Sequence, residues 1–133
     1  MRITNILGHG LALPLLIAGH MAQAQTQMLS AEAQLQTFAT CVGRLTAELE
    51  YQWSLRGAYS EEVAFRRDAT VQLVAAIVSD DQSRDVLYWR DAAKRAQYDL
   101  LNRSQHSQDQ AEAAWARHRA EMLEQECNAL LLG

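Results

Sequence analysis

The chain has 133 residues, with 12 basic and 16 acidic side chains and a net charge of −4 when the histidines are neutral. That balance argues against nucleic acid and anionic membrane surfaces as partners, since both are held by clustered positive charge. The length suits one domain with a single hydrophobic core.

The first 24 residues, MRITNILGHGLALPLLIAGHMAQA, read as a secretory signal peptide. Arg2 supplies the positive start, Leu11 to Ala18 the short apolar stretch, and Ala22-Gln23-Ala24 the small-x-small cleavage pattern. A membrane anchor is the competing reading. His9, Gly10, Pro14, Gly19 and His20 interrupt the run, however, and spanning needs about 20 apolar residues. A lipoprotein signal would need a cysteine where Gln25 stands. Removing 24 of 133 residues leaves 109, with 11 basic against 16 acidic side chains. Residues 25–133 are thus expected to form a single domain in the periplasm or outside the cell. There a disulfide between the two cysteines can persist.

Beyond Pro14 there is no proline, and Ala, Leu, Gln, Glu and Arg dominate, as in good helix formers. The first helix is predicted to start at Ser30, whose hydroxyl can cap it, and to end near Arg56 with Gly57 as its stop. Leu35, Phe38, Val42, Leu45 and Leu49 form its apolar stripe, which Cys41 borders. Gly43 inside this helix costs about 1 kcal/mol relative to Ala, and close approach of a neighbouring helix is one explanation.

Ser60 followed by Glu61 and Glu62 opens a second helix, with Phe65, Ala69, Leu73, Ala76 and Ile77 expected to face inward. Its LVAAIV segment is also compatible with a short buried strand. Ser79-Asp80-Asp81 can cap a third helix carrying Val86, Trp89, Ala93, Ala96 and Leu100 inward. The polar stretch Asn102 to Gln110 breaks the stripe, and Ser107 or Asp109 can cap a fourth helix. That helix carries Ala111, Trp115 and Met122 on one line and Ala116, Ala120, Leu123, Cys127 and Leu130 on the next. With no Gly or Pro in the polar stretch, one long helix from Asp81 to Leu131 is the alternative.

The cysteines discriminate between these two readings. In an up-down-up-down four-helix bundle, Cys41 sits about 16 Å and Cys127 about 6 Å from the shared end. With one long final helix they would lie about 50 Å apart. Disulfide Cα atoms must come within about 7 Å. A Cys41–Cys127 bond therefore requires a turn near Asn102–Gln110. It would close a loop of 86 residues and contribute about 4–5 kcal/mol on chain-entropy grounds. Two free buried thiols or an intermolecular bridge are the alternatives. The expected fold is all-α: a four-helix bundle whose first and last helices are joined by this disulfide.

Candidate chemistry is sparse. His106 falls in the polar turn. His118 lies three residues after Trp115 and four before Met122, on the apolar side of the fourth helix. Core-edge packing is its plain role, and a ligand or proton shuttle its sharper one. Glu-x-x-His pairs, Cys-x-x-Cys-His and G-x-S-x-G are all absent. Glu62/Arg66, Asp91/Arg95 and Arg117/Glu121 have the spacing of exposed helix ion pairs. No catalytic residue, metal ligand or cofactor is assigned, and the chain is not expected to be an enzyme.

Aromatic residues are the remaining signal. Tyr51, Trp53 and Tyr59 crowd the first turn, and Trp115 should reach the same end of the bundle. They either pack that end of the core or form an interaction patch with Arg56, Arg117 and Arg119. Trp, Tyr and Arg are the residue types that anchor protein interfaces. The function read from these residues is protein–protein interaction with an unknown envelope or periplasmic protein. A small-ligand, haem or metal-binding bundle using His118 is the alternative.

Four segments carry a resemblance. They are Cys41 to Leu45 (CVGRL), Glu50 to Trp53 (EYQW), Ala114 to Glu121 (AWARHRAE), and Cys127 before Leu130 to Leu132. In these the chain resembles a group of small uncharacterised exported helical proteins of Gram-negative bacteria. That group implies no activity and no site residues. Leu101-Asn102, and Ala114-Trp115 followed by a cysteine, are similar in order to the lysozyme-inhibitor LprI-like domain, also secreted and helical. The gap of 12 residues from Trp115 to Cys127 departs from its spacing. That likeness implies a lysozyme-inhibitor-like envelope role and transfers no residue.

Overall fold

The computed structural model describes residues 30–132; the signal-peptide reading falls outside them. Four helices alternate in direction: α1 (Ala31–Arg56), α2 (Glu61–Ile77), α3 (Ser83–His106) and α4 (Gln110–Leu132). A 3-10 turn, Asp80–Gln82, leads into α3. Among the described residues there is no strand: Leu73 to Ile77 of the LVAAIV segment are helical and Val78 is the extended cap that ends α2. No described helix is long and apolar enough to cross a membrane.

Local chemistry sets the helix ends. Ser30 Oγ accepts from Ala33 N–H at 3.1 Å and starts α1. Gly57 stops it with φ 65°, its N–H donating to Trp53 O at 2.8 Å. This left-handed position favours glycine. Ser60 Oγ accepts from Val63 N–H and starts α2. At Ser79 the backbone N–H donates to Gln82 Oε1 at 3.3 Å, so α3 proper begins at Ser83 rather than at the aspartates. α3 stops at His106 and Ser107 turns extended. Asp109 Oδ1 then accepts from Ala111 and Glu112 N–H at 2.8 and 3.3 Å. The break therefore falls within Asn102–Gln110, made by a capping aspartate without Gly or Pro.

Cys41 and Cys127 form the disulfide, their Cα atoms 5.4 Å apart. α1 is the central helix. It is buried well beyond one stripe, at Leu35, Ala39, Cys41, Val42, Gly43, Leu45, Ala47, Leu49 and Tyr51. Its backbone approaches all three other helices, whereas the backbones of α2 and α3 have no close approach among the described residues. α1 and α3 run parallel, as the succession Gly43–Arg90, Glu50–Lys94 and Tyr51–Tyr98 shows. α4 runs antiparallel to α3, with Gln97 against Ala120 and Arg103 against Glu112.

Three apolar clusters make up the core. Leu35, Ala39, Val42, Val74 and Val86 join α1, α2 and α3; Leu45, Leu49 and Val63 join α1 and α2. Leu100, Ala116, Ala120 and Leu123 join α3 and α4. Of the two lines on α4, the one through Ala116, Ala120, Leu123 and Cys127 is buried. Ala111, Trp115 and Met122 are exposed, and so is Leu130.

α2 is rotated from its expected orientation. Val63, Thr70 and Val74 are buried; Ala69 and Leu73 are half-buried; Ala76, Ile77 and Phe65 are exposed, Phe65 at 74%. Apolar residues occupy two faces of this helix, so periodicity leaves the choice open. Thr70 Oγ1 donates to Arg66 O at 2.8 Å, which satisfies its hydroxyl inside the core. The inner face is thereby apolar in effect although it reads as mixed. α3 shows a similar exchange: Ala96 is exposed and Gln97 is buried in its place.

Candidate interaction surface

The sequence-predicted aromatic end is only partly assembled. Trp53 and Tyr59 meet across the α1–α2 turn with ring centroids 6.2 Å apart and planes tilted by 46°. Both are more than half exposed, at 58% and 52%. The turn that carries them is held at three points. Gly57 closes α1, Ser60 caps α2, and Ser60 N–H donates to Gln52 Oε1 at 2.7 Å. Gln52 in turn donates to Glu48 Oε1 at 3.0 Å. Arg56, in the last turn of α1, is exposed beside this pair.

Tyr51 does not belong to the exposed group. It is 7% exposed and meets Tyr98 of α3 edge-on at 5.6 Å. Its hydroxyl is buried and has no hydrogen-bond partner among the described residues. Burial pushes the phenol pKa up, and the neighbouring Tyr98 and Glu48 add to this.

Trp115 forms a separate feature on α4. The Arg103 guanidinium lies 5.2 Å from its ring centroid, a cation–π geometry. Arg103 also donates through Nη1 to Asp99 at 3.2 Å and through Nε to Glu112 at 2.8 Å. Arg117, two residues on, lies on another side of the helix. It reaches Ser104 O at 3.5 Å and forms no ion pair with Glu121, against expectation. Arg119 is exposed, four residues after Trp115 and so on its side of α4. Trp53–Tyr59 and Tyr51–Tyr98 are the aromatic pairs among the described residues, and Trp115 joins neither.

His118 is exposed rather than at the core edge, because the buried line of α4 runs through Ala116 and Ala120. Among the described residues no group of three or more His, Cys, Asp or Glu is placed to hold a metal.

Two features were not visible in the sequence. Glu48, Ser104, Arg117, Glu121 and Glu124 line a polar cleft of about 280 Å³ between α1, α3 and α4. Burial raises the pKa of Glu48 and the charge of Glu124 adds to this, while the bond from Gln52 and the charges of Arg56 and Arg66 oppose it. Arg66 also pairs with Glu124 at 3.3 Å, linking α2 to α4. The second feature is a groove along the parallel α1/α3 seam. Its lower hollow, about 590 Å³, holds Gly43, Leu87, Tyr88, Arg84, Arg90 and Lys94. An upper hollow of about 370 Å³ shares Lys94, which pairs with Glu50 at 2.6 Å.

No family model, curated protein or solved structure matches the chain.

Proposed function

We propose that the chain is an exported binding module that docks another envelope protein through the Trp53–Tyr59 pair and Arg56. One observation carries this reading: two large aromatic rings stand exposed together across a turn held at Gly57 and Ser60. An immobilised aromatic pair loses little conformational entropy on binding, and Trp, Tyr and Arg supply much of the energy at protein interfaces. Trp115, with Arg103 stacked on it, is a separate exposed anchor on α4. The signal-like start and the Cys41–Cys127 bond both fit export to an oxidising compartment.

The test is chemical cross-linking in the periplasm followed by capture and mass spectrometry, comparing the natural chain with Trp53→Ala. Because Trp53 is exposed, the helical circular dichroism of the variant should match the natural protein. Loss of captured partners by the variant is the expected result. An unchanged set of partners would refute docking at this turn.

A further inference from the structure

The outer face of α2 presents a problem of its own. Phe65, Ala69, Leu73 and Ala76 recur as a core stripe does, yet Ala69 and Leu73 are only half-buried, Ala76 is exposed and Phe65 is 74% exposed. A phenylalanine this exposed at the head of a half-buried apolar stripe is a candidate anchor for a partner. The carboxylates at its start, Glu61 and Glu62, are also exposed, and Glu62 reaches Arg66 only at 4.0 Å.

The α1/α3 groove carries a cationic excess: Arg84, Arg90 and Lys94 line it together with Asp91, which pairs with Arg95 at 2.8 Å. Its wall carries Leu87 and Tyr88, 62% and 68% exposed. Arg84 and Arg90 stand three residues to either side of Leu87, and neither has an ion-pair partner among the described residues. These are unpaired cations in a chain of net negative charge.

The two faces match in spacing as well as sign. On α2 the carboxylates precede Phe65 by three and four residues; on α3 an arginine stands three residues from Leu87 in each direction. At a rise of about 1.5 Å per residue, each offset is about 5 Å. Phe65 set on Leu87 and Tyr88 therefore brings a carboxylate to an arginine. Ala69, one turn further along, leaves room for two helices to approach closely.

We infer that a second copy of this chain lays the outer face of its α2 in the α1/α3 groove. The two faces are different surfaces, so the contact is heterologous and repeats head to tail, giving open chains or a ring. One helix in one groove is smaller than a standard interface of about 800 Å² per partner, so the association is concentration-dependent. It uses neither Trp53 nor Tyr59 and stands independently of docking at that turn.

Sedimentation velocity on the exported chain, from micromolar to near-millimolar concentration, tests this. The average mass should rise with concentration. Phe65→Glu, which spoils one face, and the double variant Arg84→Glu with Arg90→Glu, which spoils the other, should each stay monomeric. Their equimolar mixture retains one intact interface and should give a 1:1 dimer and nothing larger. Phe65 and Arg84 are exposed and Arg90 is half-buried, and circular dichroism checks that each variant stays folded. If Phe65→Glu unfolds, Phe65→Ser reads the same contact. A natural chain that is monomeric at every concentration would overturn the inference, as would a mixture that stays monomeric. Self-association of Phe65→Glu alone would do so too.

Discussion

Gly43 of α1 lies against the main-chain carbonyl of Arg90 in α3. A Cβ placed on it would fall far inside van der Waals distance of that carbonyl and 3.0 Å from the Lys94 nitrogen. Close approach of these parallel helices therefore depends on a missing methyl group. Gly43→Ala sets two effects against each other. Helix propensity favours Ala by about 1 kcal/mol. Overpacking against backbone, which cannot rotate away, costs about 1–3 kcal/mol. We expect a net loss of stability in urea denaturation, and a gain would show that α1 and α3 do not cross at Gly43.

The disulfide ties α4 to the central helix across 86 residues, and both cysteines are almost fully buried. Replacing Cys41 and Cys127 with Ala together should lower stability by about 2–5 kcal/mol. α4 makes most of its other contacts with α3. Hydrogen exchange in this variant should therefore rise most in α4, and protection there equal to the natural protein would contradict this account.

Glu48 is held above the ordinary carboxylate range chiefly by burial. A carboxyl with a raised folded-state pKa favours the fold when protonated, and that contribution is lost as pH rises through the folded pKa. Glu48→Gln keeps an amide oxygen for the Gln52 bond and cannot ionise. The variant should therefore gain stability relative to the natural chain as pH rises from about 4.3, the usual glutamate value, to neutral. A stability difference that stays constant over that window would refute the shift.

Tyr51 buries a hydroxyl that has no partner among the described residues. A buried polar group left unpaired costs free energy, and removing it while keeping the ring leaves the Tyr98 contact in place. Tyr51→Phe should raise stability by about 1 kcal/mol, read from the thermal midpoint. A clear loss would mean the hydroxyl has a partner in solution.

Gln97 is 1% exposed between α3 and α4. Its Nε2 donates to Ala120 O at 3.2 Å, and its Oε1 has no partner among the described residues. Ala120 O is a helix carbonyl with its own intrahelical donor, so this bond adds little. Gln97→Met, of similar shape, should be neutral or slightly stabilising in denaturant titration. A loss of several kcal/mol would identify the amide as essential to α3–α4 packing.

Much of this was legible from residues alone. The caps at Ser30, Ser60 and Asp109, the stop at Gly57 and the stripe on α1 are local signals, each read within one or two helical turns. The disulfide is an expectation from the signal-like start and the even cysteine count, and the length of a helix makes the turn before α4 conditional on it. The failures share a cause. The spacing predicts Phe65 and Ala96 inward, His118 at the core edge, and Arg117 paired with Glu121. Each of these choices depends on what stands across from the helix. The polar cleft and the α1/α3 groove were invisible for the same reason, since their lining residues are brought together from separate helices.

Sequence by itself determined the helical character of the chain and the capped helix ends at Ser30, Gly57 and Ser60, because helix propensity and capping act over a few residues. Only the tertiary structure decided which face each helix buries. α2 is apolar on two sides, and a hydroxyl such as that of Thr70 can satisfy itself within its own helix. The choice therefore rests on shape against a neighbour, and that neighbour is the central α1, with its glycine against α3 and its cysteine against α4.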